Sequence, residues 1–281
     1  MSNVENQHFV PCGHLKRFAE NEMIFVTRRE DLKEFQKNIQ EVARLKYGYD
    51  QDPDSKTSFE EYLRIFESYL TPIIDRLLDG NSGESDFELF LYVGMLDDRS
   101  TNVMSAIEDM RLPMDSREIH LKYFDSEKWN VRGKQFEYYS GGRAILGGCE
   151  ELITSDNPVN VIDTKILFKG VSEGEILPGS EDGDRNVVIC PLSSRCCAVF
   201  MEKNSNNRYV ETFMRLMTND PGRFVSVVNF HMASNAIEEI YCEKSGKGVY
   251  YLTDRSFEHP NQNQRAENLS KRRKLGKKVH K

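Results

Sequence analysis

The chain has 281 residues, 38% hydrophobic and 30% charged, with a formal net charge of −7. It holds enough Leu, Ile, Val, Phe and Tyr to build a core, which excludes a wholly disordered chain; no apolar run approaches the roughly 20 residues of a membrane-spanning helix. The N-terminus, MSNVENQHFVP, has neither the basic nor the apolar region of a secretory signal, so a cytoplasmic protein without membrane association is expected.

The first marked feature is His8, three residues ahead of Pro11. A short strand is expected over Met23 to Arg28. In EDLKEFQKNIQEVARLKYG, Leu32, Phe35, Ile39, Val42 and Leu45 recur at three- and four-residue spacing, which predicts a helix. A second helix opens on the capping box Ser58 and Glu61 and closes on Gly80, with Pro72 expected to kink or divide it. Further boxes at Ser85/Glu88 and Asp115/Glu118 make residues of about 30–130 a helical segment. After Gly133 the pattern changes. SGGRAILGG has too many glycines for a helix and reads as loop or irregular strand. ELITS, VNVIDT, NVVICPL and CCAVFM read as strands, NRYVETFMRLMTND and FVSVVNFHMASNAIEEIYC as helices, and GVYYLTD as a last strand. The expected fold is α+β: a small central β-sheet from the N-terminal strand and the C-terminal half, with a mostly helical segment inserted between. Residues 1–264 would form one domain, 133–253 being mainly sheet with two helices, and 265–281 a disordered basic tail.

The six cysteines include no C-x-x-C pair, and no histidine spacing suits a metal, so no metal and no cofactor are expected. No G-x-S-x-G elbow or phosphate-cradling loop is present. ITSDNPV ends a strand in a polar turn; Asp156 and Asn157 suit an Asx turn, or else the mouth of a site with Ser155. Asn229 shares a helical face with Ala233, Ala236 and Ile240, where it would be buried and need a partner. His231 lies about 200° around that helix and is expected at a surface or edge.

Charge is the most informative compositional feature. Residues 265–281 hold eight cations (Arg265, Lys271, Arg272, Arg273, Lys274, Lys277, Lys278 and Lys281) and one Glu. This tail carries +7, which leaves −14 on the rest of the chain. Such a tail suits RNA or another nucleic acid, or an acidic protein partner. Arg132, Lys134 and Arg143 lie around Phe136, Tyr138 and Tyr139, a second surface on which unpaired bases could stack, unless the aromatics are core.

Four separated segments, QHFVPCGHLKRFA, LITSDNPV, CPLSS and VNFHMASNAIEEIY, occur in an order that resembles a family of bacterial, archaeal and phage proteins of unknown function. That family is marked by an N-terminal H-x-x-P motif, matched here by His8 and Pro11. The later matches are Leu15 and Phe18, Thr154 to Pro158, Pro191 to Ser193, and Asn229 with Ala236. CGH after Pro11 departs from the aromatic usual there. The family implies no activity. In layout alone, an acidic body with a basic tail is also similar to the jumbo-phage RNA-binding protein chimallin C; a phage-encoded chain would work in the host-cell cytoplasm.

Three readings follow. The first is a non-catalytic RNA-binding protein using the basic tail and the basic-aromatic surface. The second is a hydrolase or nuclease-like effector with a site of His8, Asp156, Asn157 and Asn229. The third is a protein-interaction scaffold. For His8 itself, capping the sheet by bonding the S-D-N-P turn and the helix Asn is favoured over catalysis.

Overall fold

A computed structural model describes residues 6–46, 59–80, 86–100, 139–146, 151–163, 186–202 and 208–253. Three antiparallel sheets, six α-helices and two short 3-10 turns are formed by these residues, an α+β fold. The strands are β1 (Asn6–His8), β2 (Met23–Arg28), β3 (Glu34–Asn38), β4 (Arg44–Lys46), β5 (Tyr139–Ile145), β6 (Thr154–Ser155), β7 (Asn160–Asp163), β8 (Asn186–Ser193), β9 (Cys196–Glu202) and β10 (Glu239–Cys242). The helices are α1 (Cys12–Leu15), α2 (Phe59–Leu78), α3 (Asp86–Arg99), α4 (Arg208–Asn219), α5 (Pro221–Asn235) and α6 (Lys247–Thr253). In place of one small central sheet there are two of four strands, β3-β2-β10-β6 and β5-β9-β8-β7, and the ribbon β1-β4.

β8 and β9 explain why their segments read as continuous apolar runs. Alternate side chains of a strand point to opposite faces. Val187, Ile189, Cys197 and Val199 enter one core, while Cys190, Leu192, Cys196, Ala198 and Phe200 enter another. The sheet is therefore buried on both faces, and period-two alternation is lost from the sequence. The first core is shared with Ile24 and Val26 of β2, Ile240 of β10 and Phe224, Val228 and Met232 of α5. The second is closed by Leu70, Ile74 and Leu77 of α2 and Leu89, Val93 and Leu96 of α3. In β5, Gly141 allows the backbone to approach β9: a Cβ there would lie 2.0 Å from the Val199 carbonyl oxygen.

Both long N-terminal helices form; α2 runs undivided through Pro72, and Ser58, Ser85 and the Asp115 box lie outside the described residues. Three local expectations are corrected. Residues 30–46 are not a helix. Leu32 sits at φ 56, a left-handed turn that starts the β2–β3 hairpin, and β3 pairs with β2 along its length. Ile39, Val42 and Leu45 still bury in the core, so the spacing reported one-sided burial correctly while long-range strand pairing overrode the local pattern. The helix from Phe224 stops at Asn235, and Ile240 lies in strand β10 rather than on a helical face. GVYYLTD is helical as far as Thr253, Asp254 lying outside the described residues: Gly248, Tyr251 and Leu252 are buried at helical spacing while Tyr250 is exposed.

Candidate functional site

The T-S-D-N-P segment and α5 form one buried polar seam. Asn229 uses both ends of its amide: Nδ2 donates to the Glu151 carbonyl at 2.8 Å and Oδ1 accepts from the Ile153 N–H at 2.9 Å. It thus replaces a missing strand neighbour beside β6. Asn157 donates to the Asn235 carbonyl, Asn160 to the His231 carbonyl and Asn235 to the Val159 carbonyl, at 2.7–3.2 Å. Ser155 Oγ accepts from the Asn157 N–H and donates back to its carbonyl, closing the polar turn. Asp156 accepts the Ile237 N–H on Oδ1 at 2.9 Å and the Glu238 N–H on Oδ2 at 2.6 Å. Those donors follow the end of α5, so the carboxylate stops the helix and starts β10. Burial pushes the Asp156 carboxyl up to about 7, against the Glu238 and Ile237 hydrogen bonds, which hold it down.

A second buried chain was not visible in sequence. Arg17 Nη1 donates to the Tyr92 hydroxyl at 2.8 Å, and its Nε and Nη2 hold Asp75 Oδ1 at 2.9 and 2.8 Å. The Tyr92 hydroxyl lies 3.3 Å from His14 Nδ1, and His14 Nε2 lies 3.4 Å from Thr154 Oγ1. With an arginine donating to the phenol oxygen, its proton points to Nδ1; the imidazole proton then sits on Nε2 and faces Thr154. Burial, then Arg17, lowers the His14 pKa to about 3, which keeps that ring neutral. Burial opposes the Arg17 charge, but Tyr92 and Asp75 outweigh it and raise its pKa. The chain links α1, α2, α3 and β6.

His8 lies outside both networks. Its ring neighbours Cys12, whose Sγ is 3.5 Å from Nε2 and 3.6 Å from Nδ1. Its carbonyl accepts from buried Arg99, which is paired with Glu67. Burial, then Arg99 and Arg44, lowers the His8 pKa to about 4, while a backbone hydrogen bond with Val42 raises it. The four-residue site is therefore only partly assembled: Asp156, Asn157 and Asn229 share the seam, and His8 does not join them. The histidine that reaches the T-S-D-N-P segment is His14, from the CGH departure. His231 is buried, not at a surface: it is 4% exposed and its ring stands edge-on to Phe230.

Of the candidate nucleic-acid residues, Arg143 lies in β5 opposite Ala198. Tyr139 is half-buried and packs against Phe90 at the edge of the second core, with centroids 5.7 Å apart. Arg132, Lys134, Phe136, Tyr138 and the tail lie outside the described residues. Among the described residues, no helix is long and apolar enough to cross a membrane.

Residues 6–128 match the model of a family described as Protein of unknown function (DUF4238). No curated protein and no solved structure matches the chain. The matched stretch takes in the H-x-x-P segment, Leu15, Phe18, α2 and α3, and ends before Thr154–Pro158, Pro191–Ser193 and Asn229. Leu15 and Phe18 are fully buried, and the Phe18 ring lies 5.4 Å from that of His14. The signal for Arg17 and His14 was present in HLKRF. A buried arginine cannot be told from an exposed one, however, until its distant partners Tyr92 and Asp75 are placed.

Proposed function

We propose that this protein binds nucleic acid, RNA in preference, without catalysing a reaction, through the basic stretch of residues 265–281. One observation carries the reading: that stretch holds a net +7 while the rest of the chain holds −14. A polyanion is repelled by the body and attracted by the tail, where each neutralised phosphate releases counterions. The body's own cations add support. Arg17, Arg28, Lys33, Arg99, Arg195 and Lys244 each face a carboxylate of Asp75, Asp31, Glu67 or Glu151, which reduces their availability to phosphates. The seam of Asp156, Asn157 and Asn229 spends its polar atoms on backbone groups, as a structural lock does. The test is titration of single-stranded RNA against the full chain and a chain lacking residues 265–281 at several salt concentrations. With up to eight cations engaged, removal is expected to flatten the slope of log affinity against log salt by up to about 6. Unchanged affinity and slope would refute the tail's role.

A further inference from the structure

The helical register of α6 turns two consecutive tyrosines to opposite sides. Tyr251 is 8% exposed and joins the first core with Leu252. Tyr250 is 68% exposed, more than Ile65, Tyr69, Val161 or Phe87, the other large apolar side chains open to solvent among the described residues. It is nevertheless held in place. Its N–H donates to the Gly246 carbonyl at 3.0 Å, and its carbonyl accepts the Thr253 hydroxyl at 2.8 Å. Its ring stands edge-on to that of Tyr251, with centroids 5.0 Å apart and planes at 86°. The helix is seated closely on the sheet at Gly248, where a Cβ would lie 2.2 Å from Thr27 Oγ1.

We propose that Tyr250 is a stacking platform for an unpaired base, which makes the ligand of the basic tail single-stranded rather than duplex RNA. The inference rests on the reading of residues 265–281 as the stretch that holds nucleic acid. Chain connectivity singles out this tyrosine. Thr253 ends α6 and Arg265 follows twelve residues later, a span of at most about 43 Å, so a strand held by the tail stays within reach of α6. Charge agrees. Lys247 is the one charged residue of α6 and lies three positions before Tyr250, on the adjoining face, where it can meet the phosphate beside a stacked base. The tail's cations neutralise phosphates of single strand and duplex alike. A tyrosine ring adds the discrimination, because only an unpaired base can offer it a π-face. A ring already fixed by its neighbours also loses little freedom when a base stacks on it.

The test titrates the full chain with a mixed-sequence RNA single strand and with a duplex carrying the same number of phosphates, at matched salt. Wild type, Tyr250→Ala and Tyr250→Phe are compared, and a single strand carrying iodouridine is photocrosslinked to the wild type. Tyr250→Ala is expected to weaken single-strand binding at least about 5-fold, the low end of the loss of one base–aromatic stack. Its duplex affinity, salt slope and melting temperature stay at wild-type values. Tyr250→Phe keeps the ring and binds the single strand as wild type does, and the iodouridine crosslink includes Tyr250. A folded Tyr250→Ala variant that binds the single strand as tightly as wild type, or that loses duplex affinity equally, overturns the platform. If wild type then still shows a salt slope that depends on the tail, the tail reading survives that failure. A wild-type chain that binds neither RNA refutes the tail reading and the platform together. Should Tyr250→Ala not fold, the wild-type crosslink decides, and attachment that omits Tyr250 overturns the proposal.

Discussion

Asp156 holds two backbone N–H groups that nothing in a regular helix or strand would satisfy. Buried donors left without an acceptor cost about 1–3 kcal/mol each. Asp156→Ala is therefore expected to lower stability by about 2–5 kcal/mol in urea unfolding, whereas a change below about 1 kcal/mol would show that the turn holds itself. His14 makes a pH prediction. Its folded pKa, about 3, lies below the ordinary value of 6.5. Between those values the unfolded chain binds a proton at this site and the folded chain does not. Stability contributed by neutral His14 is thus present above pH 6.5 and lost on acidification, by about 1.4 kcal/mol per pH unit. Asp156 acts in the opposite sense: its folded pKa is raised to about 7, so its contribution falls as pH rises from 3.8 towards 7. The His14 effect is isolated by subtraction: wild type minus His14→Phe should slope upward between pH 4 and 6.5 in chemical unfolding. A flat difference would mean that the ring is protonated in the fold.

At the scale of elements, legibility followed the source of each signal. β2 was legible to the residue, because it is bounded by turns and half-buried. α2 and α3 were legible because each presents an apolar stripe to the second core. β3 and β4 were not, because their burial arises from pairing with β2 and β1, and the apolar spacing of Leu32 to Leu45 fits a helix as well. The end of α5 is dictated by Asp156, which lies before β7, β8 and β9 in the chain, so no local stop signal was available to read. Asn229 could be read as a buried residue needing partners, but the absence of His8 from its seam could not, since that depends on how β1 pairs. Gly141 offers an element-scale test. A side chain there would meet the backbone of β9, which cannot move without breaking the β5–β9 ladder. Gly141→Ala should lower stability strongly, by about 3 kcal/mol or more, the range of severe packing defects. A loss under about 1 kcal/mol would show that β5 can shift away.

Across the whole molecule, two kinds of polar group are kept apart. The folded body places asparagines, a histidine and an arginine in its interior, where they join layers: Asn229 and Asn157 tie β6 to α5, and Arg17 with His14 ties α1 to α2, α3 and β6. The uncompensated positive charge gathers instead in residues 265–281. On the proposed reading, body and tail divide stability from binding: changes in the seam should alter folding while leaving salt-dependent RNA affinity intact wherever the chain remains folded. The central claim is tested most directly by ultraviolet crosslinking in the native cell, with sequencing of the attached nucleic acid and mapping of the crosslinked peptides. RNA attached to peptides within residues 265–281 is the predicted result. Recovery of no nucleic acid, or of crosslinks confined to the body, would contradict it.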